Sequence, residues 1–520
     1  TRFTSEKNSD PGNFPVLLKI FHVRDIICIL CDTYYNDYSD GKKSPRGSEI
    51  VKLLEEIRAL PKTYSSKILS EDDIYSIKEY VEKYFSGKGT IEELEKYQYW
   101  SQVADQIGDV QIDHLSRIFS VLWNNHEELT RIFNEAVVFL QRFNFPSTLY
   151  VTYEALYRRS GFSIINVQTL RSFFSETIQF PVRTENGQEW RADAARLCFL
   201  TAEIVMTISE ESVQNRPFIR EIDIIDFPGA RSRPEIISFS EESLLEMMLR
   251  GKVSYLFNHY SQTYKTNILG VCMRTQQTNV TTVPRLVNQW IEDNLGDTPQ
   301  KRAQNIKGAV PPLFIIFTWW NTQLTYNIAT DDPDPSDRIQ KLFFTRFHEE
   351  IIAGYEWHEN WISSLNGTEP FRNFYLLRDF KESKMLYRSD DEQPSSAELE
   401  EFTSPEQERF FEDYKNSFLE FHSQQNRFFS DPLLNFIESS VPGKDGSEFI
   451  IKNLKPVANN DISVPIYINH LRNCRDQALE LLNRHFHSDE ADIQIAKAAS
   501  EAADIVYKMT IVFGTDALSF

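Results

Sequence analysis

Residues 222–229 read Ile-Asp-Ile-Ile-Asp-Phe-Pro-Gly. The isoleucine-rich run Ile222–Asp226 predicts a strand, and Pro228 and Gly229 end it with a turn. Ligands of open α/β sheets bind at the carboxyl ends of strands, so Asp226 could hold Mg²⁺ there through water. Gly229 lacks a Cβ, which lets its backbone N–H approach a phosphate. An ordinary strand-ending turn has the same composition, so these residues alone leave both interpretations open.

Predicted strands and helices alternate on both sides of this stretch. The alternation begins with a strand within Phe14–Phe21 and a helix from His22 to about Tyr35. Further strands are expected at 267–273, 313–318 and 373–377, and helices at 241–260, 283–294 and 339–352. Strands joined through helices form βαβ units, which build parallel sheets covered by helices. We therefore predict an α/β fold with a mostly parallel sheet.

Between about 48 and 145 the pattern is helical only. Apolar residues recur at helical spacing from Ile112 to Leu140, and Pro61 and Gly87–Gly89 are expected to divide the region into several helices. The polar, acidic stretch 389–405 is expected to be a linker or a solvated loop. The predicted organisation is the start of a sheet domain at 1–45, a helical insertion at 46–190, the rest of the sheet domain at 191–388 and a helical carboxyl-terminal region at 389–520.

The composition excludes several classes of protein. The 520 residues carry 55 basic and 76 acidic side chains, a formal net charge of −21. That charge argues against sequence-independent nucleic-acid binding and against attraction to anionic membranes. The sequence has no apolar run long enough to span a bilayer and opens with no signal peptide, so we expect a cytoplasmic protein without a transmembrane segment. Cys28 and Cys31 lie in an apolar run, which predicts that both thiols are buried in packing.

A second candidate motif, Thr318-Trp319-Trp320-Asn321, follows the predicted strand 313–318. P-loop GTPases carry a T/N-K-x-D motif at such a strand end, and its carboxylate accepts hydrogen bonds from two guanine N–H groups. Here Trp319 replaces the lysine and Asn321 the aspartate, and an amide offers one acceptor and one donor instead of two acceptors. Trp319 could stack on a base or form an apolar wall, and the residues favour neither role.

The phosphate-binding loop G-x-x-x-x-G-K-[ST] occurs nowhere in the 520 residues. Gly87-Lys88-Gly89-Thr90 and Gly251-Lys252 each lack the first glycine at the required spacing. That loop supplies the backbone N–H groups and the lysine that hold the phosphates. Either it lies upstream of Thr1, or this chain binds no nucleotide.

Several stretches resemble a single family. They are Thr1–Thr4 with Val16–Leu18, Asp25–Tyr35, Ile222–Arg233, Leu249–Phe257 and the block around Thr318. Together they are similar to the SrfC-type bacterial virulence factors, a dynamin-related family of P-loop GTPases, over most of residues 1–385. The resemblance implies a P-loop GTPase-like sheet with a large helical insertion and a helical carboxyl-terminal region. It also implies GTP and Mg²⁺ as ligands.

The resemblance further implies a role for each candidate residue. Thr1 would be the switch-I ligand of Mg²⁺, with Thr4 as a substitute, and Asp226 would be the Mg²⁺-linked aspartate of switch II. Gly229 would sense the γ-phosphate. The base would be recognised by Thr318, Trp319 and Asn321.

Residues next to Gly229 bear on catalysis. Ala230 occupies the place of the glutamine that orients the attacking water in many small GTPases, and its methyl group cannot do so. Arg231 or Arg233 could stabilise charge in the transition state or form surface ion pairs.

Two functions follow from this reading. The first is a dynamin-related GTPase that couples GTP hydrolysis to rearrangement of its helical parts. The second is a non-catalytic scaffold with a GTPase fold that binds companion proteins of a virulence-associated locus. The expected partners are a nucleotide and either those proteins or further copies of the chain.

Overall fold

The computed structural model describes most of the chain. The described residues are 1–6, 13–37, 44–60, 68–157, 161–175, 177–227, 241–262, 266–274, 283–306, 308–324, 335–352, 354–379, 387–390, 393–402, 405–425, 428–458, 463–483, 497–505 and 507–508. The chain divides into two compact units, Thr1–Asn460 and Asp461–Phe520.

The first unit contains a seven-stranded mixed sheet. Its strands are β1 (Arg2–Thr4), β2 (Val16–Ile20), β3 (Thr148–Val151), β4 (Gln179–Thr184), β5 (Glu189–Asp193), β6 (Thr201–Thr207) and β7 (Ile224–Ile225). They lie in the order β5-β4-β3-β2-β6-β1-β7. Within the described sheet, β1 and β6 run parallel and the other neighbours run antiparallel.

The α/β fold class is confirmed, but the expectation of a mostly parallel sheet is wrong for this larger sheet. The connections give the reason. The chain passes from β4 to β5 through residues 185–188, where Gly187 has φ of 82°. So short a turn joins antiparallel strands only, because a parallel pair requires a long crossover. The strand expected at 222–226 is reduced to Ile224–Ile225, and a 3₁₀ helix at Pro217–Glu221 precedes it.

Ten helices that the structure describes in this part of the chain surround the sheet. They are α1 (Val23–Asp37), α2 (Gly47–Arg58), α3 (Glu71–Phe85), α4 (Gly89–Lys96), α5 (Tyr99–Ile107), α6 (Leu115–Phe119), α7 (Glu127–Arg142), α8 (Ala194–Leu200), α9 (Glu210–Asn215) and α10 (Glu241–Gln262). The helices predicted near 22–35 and 241–260 are confirmed, and so is the helical region up to Arg142. Beyond it, β3 and β4 return the chain to the sheet inside the range 46–190, where only helices were expected.

One continuous apolar core, here called the first core, fills the space between the seven-stranded sheet and these helices. Helix α1 is at its centre, with Ile26, Ile27 and Ile29 fully buried. Cys28 and Cys31 lie in the same helix as free, buried thiols, which confirms the prediction that they serve packing.

A second sheet follows in the same unit. The strands in this part are β8 (Leu269–Arg274), β9 (Leu313–Thr318), β10 (Ile362–Ser364), β11 (Gly367–Glu369) and β12 (Phe374–Leu376). The sheet has the order β12-β9-β8, and both of its pairs are parallel. The intervening helices are α11 (Val283–Asn294), α12 (Pro299–Asn305) and α13 (Ser336–Gln340), which a π-helix continues over Lys341–Ile352. The βαβ prediction therefore holds in this part of the chain.

The unit ends in a hairpin and three helices. The elements are β13 (Tyr387–Asp390), β14 (Gln393–Glu398), α14 (Pro405–Gln425), α15 (Pro432–Ser440) and α16 (Ser447–Leu454). The hairpin lies where the sequence predicted a linker or loop. These helices and the three-stranded sheet enclose a second core, which is dominated by aromatic rings.

In the second unit the structure describes helix α17 (Ser463–Asn483) and a further helical stretch at 497–505. None of the described helices is long and apolar enough to cross a membrane.

Candidate functional site

The two predicted Mg²⁺ ligands, Thr1 and Asp226, lie side by side. The backbone N–H of Asp226 donates to the carbonyl of Thr1 at 2.7 Å, and the Thr1 nitrogen donates to the carbonyl of Asp226 at 2.8 Å. This exchange extends the antiparallel β1–β7 pair by one residue beyond its last strand pairing, Arg2 with Ile225. Asp226 remains exposed to solvent. The structure thus brings together two residues that are 225 positions apart in the sequence.

Thr4, the proposed substitute for Thr1, lies at the other end of β1. It is buried, and its hydroxyl accepts a hydrogen bond from the backbone of Glu6 at 3.1 Å. Three residues of extended chain separate it from Thr1, a distance of about 10 Å at ~3.3 Å per residue. Thr1 is therefore the threonine that the fold places next to Asp226.

A charged network lies beside this strand end. Glu203 of β6 accepts from Arg2 Nε at 2.7 Å and from Lys19 Nζ at 2.6 Å, and Tyr260 of α10 donates to it as well. Burial by itself would raise the pKa of Glu203, but these hydrogen bonds outweigh it and lower the pKa to about 2. Arg2 also contacts Asp223 at 2.7 Å. The network fixes β1 against β6, β7 and α10, and so holds Thr1 in place.

The chain beyond Asp226 turns toward helix α10. The ring of Phe227 lies 5.4 Å from that of Tyr260 and 6.1 Å from that of Phe257, centre to centre. The next residues, 228–240, lie outside the described part of the chain. Gly229, Ala230, Arg231 and Arg233 are among them, so their predicted roles stay predictions.

The predicted base-recognition motif lies at the carboxyl end of β9. The hydroxyl of Thr318 donates to the carbonyl of Met273 on β8 at 3.0 Å. The guanidinium of Arg274 lies over the ring of Trp319 at 4.4 Å from its centre. Trp319 has φ of 60°, a left-handed conformation that is uncommon for a bulky residue. Thr318 and Trp319 therefore belong to the edge formed by the ends of β8 and β9.

Asn321 points into the protein. Its side chain is fully buried, and its Oδ1 accepts a hydrogen bond from the backbone N–H of Asp379 at 3.0 Å. The neighbouring Trp320 is also buried, and its ring N–H donates to Ser440 at 2.8 Å. Asn321 is predicted to recognise a base. In this structure its amide oxygen instead binds the backbone of Asp379 and so connects the end of β9 to the chain that follows β12.

The charge of Asp226 affects one residue of β8, Cys272. Desolvation raises the pKa of the Cys272 thiol on β8, and the charge of Asp226 raises it further. Strand β7 is the last strand of its sheet, and β8 is the last strand of the other. Among the described residues, each of these two strands has one edge without a paired strand.

The described residues contain no group of three or more His, Cys, Asp or Glu side chains placed to hold a metal ion. Thr1 and Asp226 would supply at most two of the six oxygen ligands that Mg²⁺ requires. In nucleotide sites the remaining ligands are phosphate and water oxygens. The donor set therefore fits a Mg²⁺ ion that arrives with a nucleotide.

Sequence reasoning did not anticipate a cavity of about 570 Å³ at the opposite, amino-terminal ends of β9 and β12. Its polar lining includes Arg372, Asn373, Asn435 and Lys452. These residues come from separate segments with no shared motif, so no sequence signal marks them.

The family model described as "Putative bacterial virulence factor" matches residues 1–517, so the chain belongs to that family. No curated protein matches the chain, and no solved structure matches it.

Proposed function

We propose that this member of the virulence-factor family is a dynamin-related, GTPase-like protein that binds GTP with Mg²⁺ beside Thr1 and Asp226. The observation that carries the proposal is the backbone pairing of Thr1 with Asp226 at a strand end. The two residues come from opposite ends of the sheet region and carry the hydroxyl and carboxylate that a Mg²⁺–phosphate site needs.

The arrangement of strands also supports the proposal. A nucleotide-binding sheet needs a strand that leads into the loop around the β-phosphate, and the 520 residues contain no such loop. Among the described residues, β7 and β8 each have one edge without a paired strand, and a strand that carries such a loop could add to either edge.

The chemistry follows from these parts. Asp226 would hold Mg²⁺ through water, and Thr1 would ligate it directly when the γ-phosphate is present. Phosphoryl transfer depends on positioning and on neutralising charge, so no covalent intermediate with the protein is required. The Mg²⁺ ion bound with GTP would supply the positive charge that balances the exposed Asp226 carboxylate.

Helix α10 offers a route from the site to the helical layer. Phe227, next to Asp226, packs on Tyr260 near the end of α10. Along the same helix, Arg250 forms a buried ion pair with Asp37 of α1 at 3.2 Å. A displacement of Phe227 on hydrolysis would therefore act on α10, and through it on α1.

The test uses full-length protein and fluorescently labelled GTP with and without Mg²⁺. We expect Mg²⁺-dependent binding that falls at least tenfold in Asp226→Ala. Glu221→Ala is the matched control, because Glu221 is an exposed carboxylate five residues before Asp226 and lies outside the Arg2–Glu203 network described above. Binding that Asp226→Ala leaves unchanged, or no binding at all, would contradict the proposal.

Base selectivity is tested separately. Because the Asn321 amide is engaged with Asp379, it is poorly placed to discriminate guanine. We expect labelled GTP, XTP and ATP to bind within about tenfold of one another. Strong preference for one base, altered by Asn321→Asp, would show that Asn321 leaves its internal contact and reads the base.

The second candidate is a non-catalytic scaffold that binds partner proteins of a virulence-associated locus. The buried, internally bonded Trp320 and Asn321 favour it, since both residues hold the second core together. Absence of nucleotide binding in the full-length protein, with the fold intact by circular dichroism, would favour the scaffold.

A further inference from the structure

Helix α17 (Ser463–Asn483) carries a seven-residue repeat that none of the roles above uses. Small or apolar residues recur at alternating spacings of three and four along three heptads. They are Val464, Tyr467, Leu471, Cys474, Ala478 and Leu481. Written as heptad positions, they alternate between a and d without a break. A repeat with this period forms a stripe on one side of a helix, and such a stripe packs against another helix.

All six residues of this stripe are exposed to solvent. Apolar neighbours widen it on one side, because Ile468 and Leu482 both fall at position e. Among the side chains of α17 that the structure describes, the large apolar ones are between 40% and 71% exposed, with Leu471 the most exposed. Single exposed apolar residues are common, but a continuous stripe of this length marks an interaction surface.

The area of the stripe matches a helix dimer. Six large apolar side chains with known exposure lie at positions a, d and e: Val464, Tyr467, Ile468, Leu471, Leu481 and Leu482. Together they leave roughly 600 Å² exposed per copy, which is the lower limit for a specific interface at about 600 Å² per partner. The charges of the helix are balanced, with Arg472 and Arg475 against Asp476 and Glu480. Two copies of α17 therefore meet without net repulsion, although the whole chain carries −21. Repulsion between the remaining charges is screened beyond about 8–10 Å at physiological salt.

We propose that α17 is a self-association helix, and that its occupant is α17 of a second copy of this chain in a two-stranded coiled coil. The core layers would pair each residue with its counterpart on the facing helix. The small residues Cys474 and Ala478 form the fourth and fifth of the six layers, so the pairing would be weaker there than in a leucine-rich coiled coil. The proposal does not depend on nucleotide binding.

Cys474 provides a direct test. It is an exposed free thiol at position d, close to the midpoint of the stripe between Val464 and Leu481. In a parallel, in-register coiled coil, in which each residue faces its counterpart, the two Cys474 thiols of a dimer lie opposite each other. Diamide oxidises two such thiols to a disulfide and takes up their two electrons and two protons, becoming a hydrazine. We expect the full chain to give a covalent dimer on a non-reducing gel.

Two cysteine variants control the experiment. Cys272 is the other exposed thiol among the described residues. Cys474→Ser should abolish the covalent dimer, and Cys272→Ser should leave it. A dimer that persists in Cys474→Ser and disappears in Cys272→Ser would place the contact elsewhere and overturn the proposal.

The non-covalent dimer is tested by light scattering coupled to size exclusion at micromolar concentration. Leu471→Asp introduces a charge at position a and should weaken association at least tenfold. Asn483→Asp adds the same charge at position f, outside the stripe, and should leave it unchanged. Ala478→Leu fills the weak layer and should strengthen association several-fold. A chain that stays monomeric in every variant, or a Leu471→Asp chain that associates as the wild type does, would overturn the proposal.

Discussion

The two cores of the first unit are stabilised by different interactions. Most residues of the first core are aliphatic, although it also contains rings. Buried carboxylates form ion pairs in this part of the chain: Glu203 binds Arg2 and the half-exposed Lys19, and Asp37 binds Arg250. In the second core, aromatic rings pack on one another around Phe343, whose ring lies 5.1 Å from those of both Phe317 and Phe428.

This difference shows where the fold places its chemistry. The ion network of the first core adjoins Thr1 and Asp226, where a charged ligand is proposed to bind. In the second part of the unit, Trp320 and the predicted base-recognition residue Asn321 are fully buried. We therefore expect loss of charge at Glu203 to destabilise the first core, and loss of a ring at Phe343 to destabilise the second core.

The largest expected effect is that of Phe343→Ala. Phe343 is fully buried, and removing its ring leaves a cavity among the rings around it. We expect the free energy of unfolding of this region to fall by about 3–5 kcal/mol. Hydrogen exchange measured by mass spectrometry should show the loss in peptides from β9 and α14.

The neighbouring Phe344 is only partly buried and provides the matched control. Phe344→Ala should lower the free energy of unfolding clearly less than Phe343→Ala does. Equal losses for the two variants would mean that the second core does not depend on ring packing around Phe343.

Glu203→Gln tests the first core. Neutralising Glu203 weakens its charge-assisted hydrogen bonds with Arg2 and Lys19. We therefore expect the free energy of unfolding to fall by about 1.5–3 kcal/mol. In the wild type the pKa of Glu203 is about 2, below its ordinary 4.5. Its contribution is therefore complete above pH 4.5 and is lost as the pH falls toward 2.

This acid-dependent loss should be absent from Glu203→Gln when urea unfolding is compared at pH 6, 4 and 3. Glu211→Gln changes an exposed carboxylate nearby and should behave as the wild type does. If Glu203→Gln kept the wild-type acid profile, the network would contribute no measurable stability.

Gly251→Ala tests a close helix contact within the first core. A Cβ on Gly251 of α10 would collide with Thr33 and lie 2.8 Å from the carbonyl of Ile29, both on α1. We expect the free energy of unfolding to fall by about 1–3 kcal/mol, because helices α10 and α1 must move apart. In the control Gly270→Ala, the new Cβ would meet only Ile316 at an ordinary 3.8 Å. Thermal unfolding should distinguish the two, and equal melting temperatures would contradict the close contact.

The smallest effect at neutral pH is expected for His422→Leu in the second core. His422 lies among rings, 4.3 Å from Phe418 and 4.8 Å from Phe429, and neither ring nitrogen has a hydrogen-bond partner in the described residues. Burial lowers the pKa of His422 from 6.5 to about 3. Leucine buries no polar atom without a hydrogen bond, so we expect the free energy of unfolding to rise by about 1 kcal/mol at pH 7.

The pH profile separates the two cores. The unfolded chain protonates His422 below pH 6.5 while the folded chain does not, so stability falls between pH 6.5 and about 3 by ~1.4 kcal/mol per unit. His422→Leu should remove this slope, whereas Glu203→Gln should affect only the range below pH 4.5. If the free energy of unfolding of His422→Leu kept the wild-type dependence on pH, that dependence would belong to another titrating group.

Periodicity allowed prediction of the elements whose apolar pattern is long and local. Helix α1, helix α11 and strand β9 were predicted to within two residues because burial of one side imposes a regular pattern on the sequence. The hairpin at 387–398 and the short strand β3 could not be predicted in the same way, since brief pairings leave little periodic signal.

The candidate site also has features that the sequence predicts and features that it does not. The sequence by itself determined the α/β class, the parallel arrangement of β8, β9 and β12, and the choice of Asp226 as a carboxylate at a strand end. Only the tertiary structure decided that the larger sheet is mostly antiparallel, that Thr1 pairs with Asp226 and that Asn321 faces inward. The local hydrophobic pattern predicts which residues are buried. The hydrogen-bond partners of a backbone N–H or a side-chain amide, in contrast, come from chain segments that are distant in sequence.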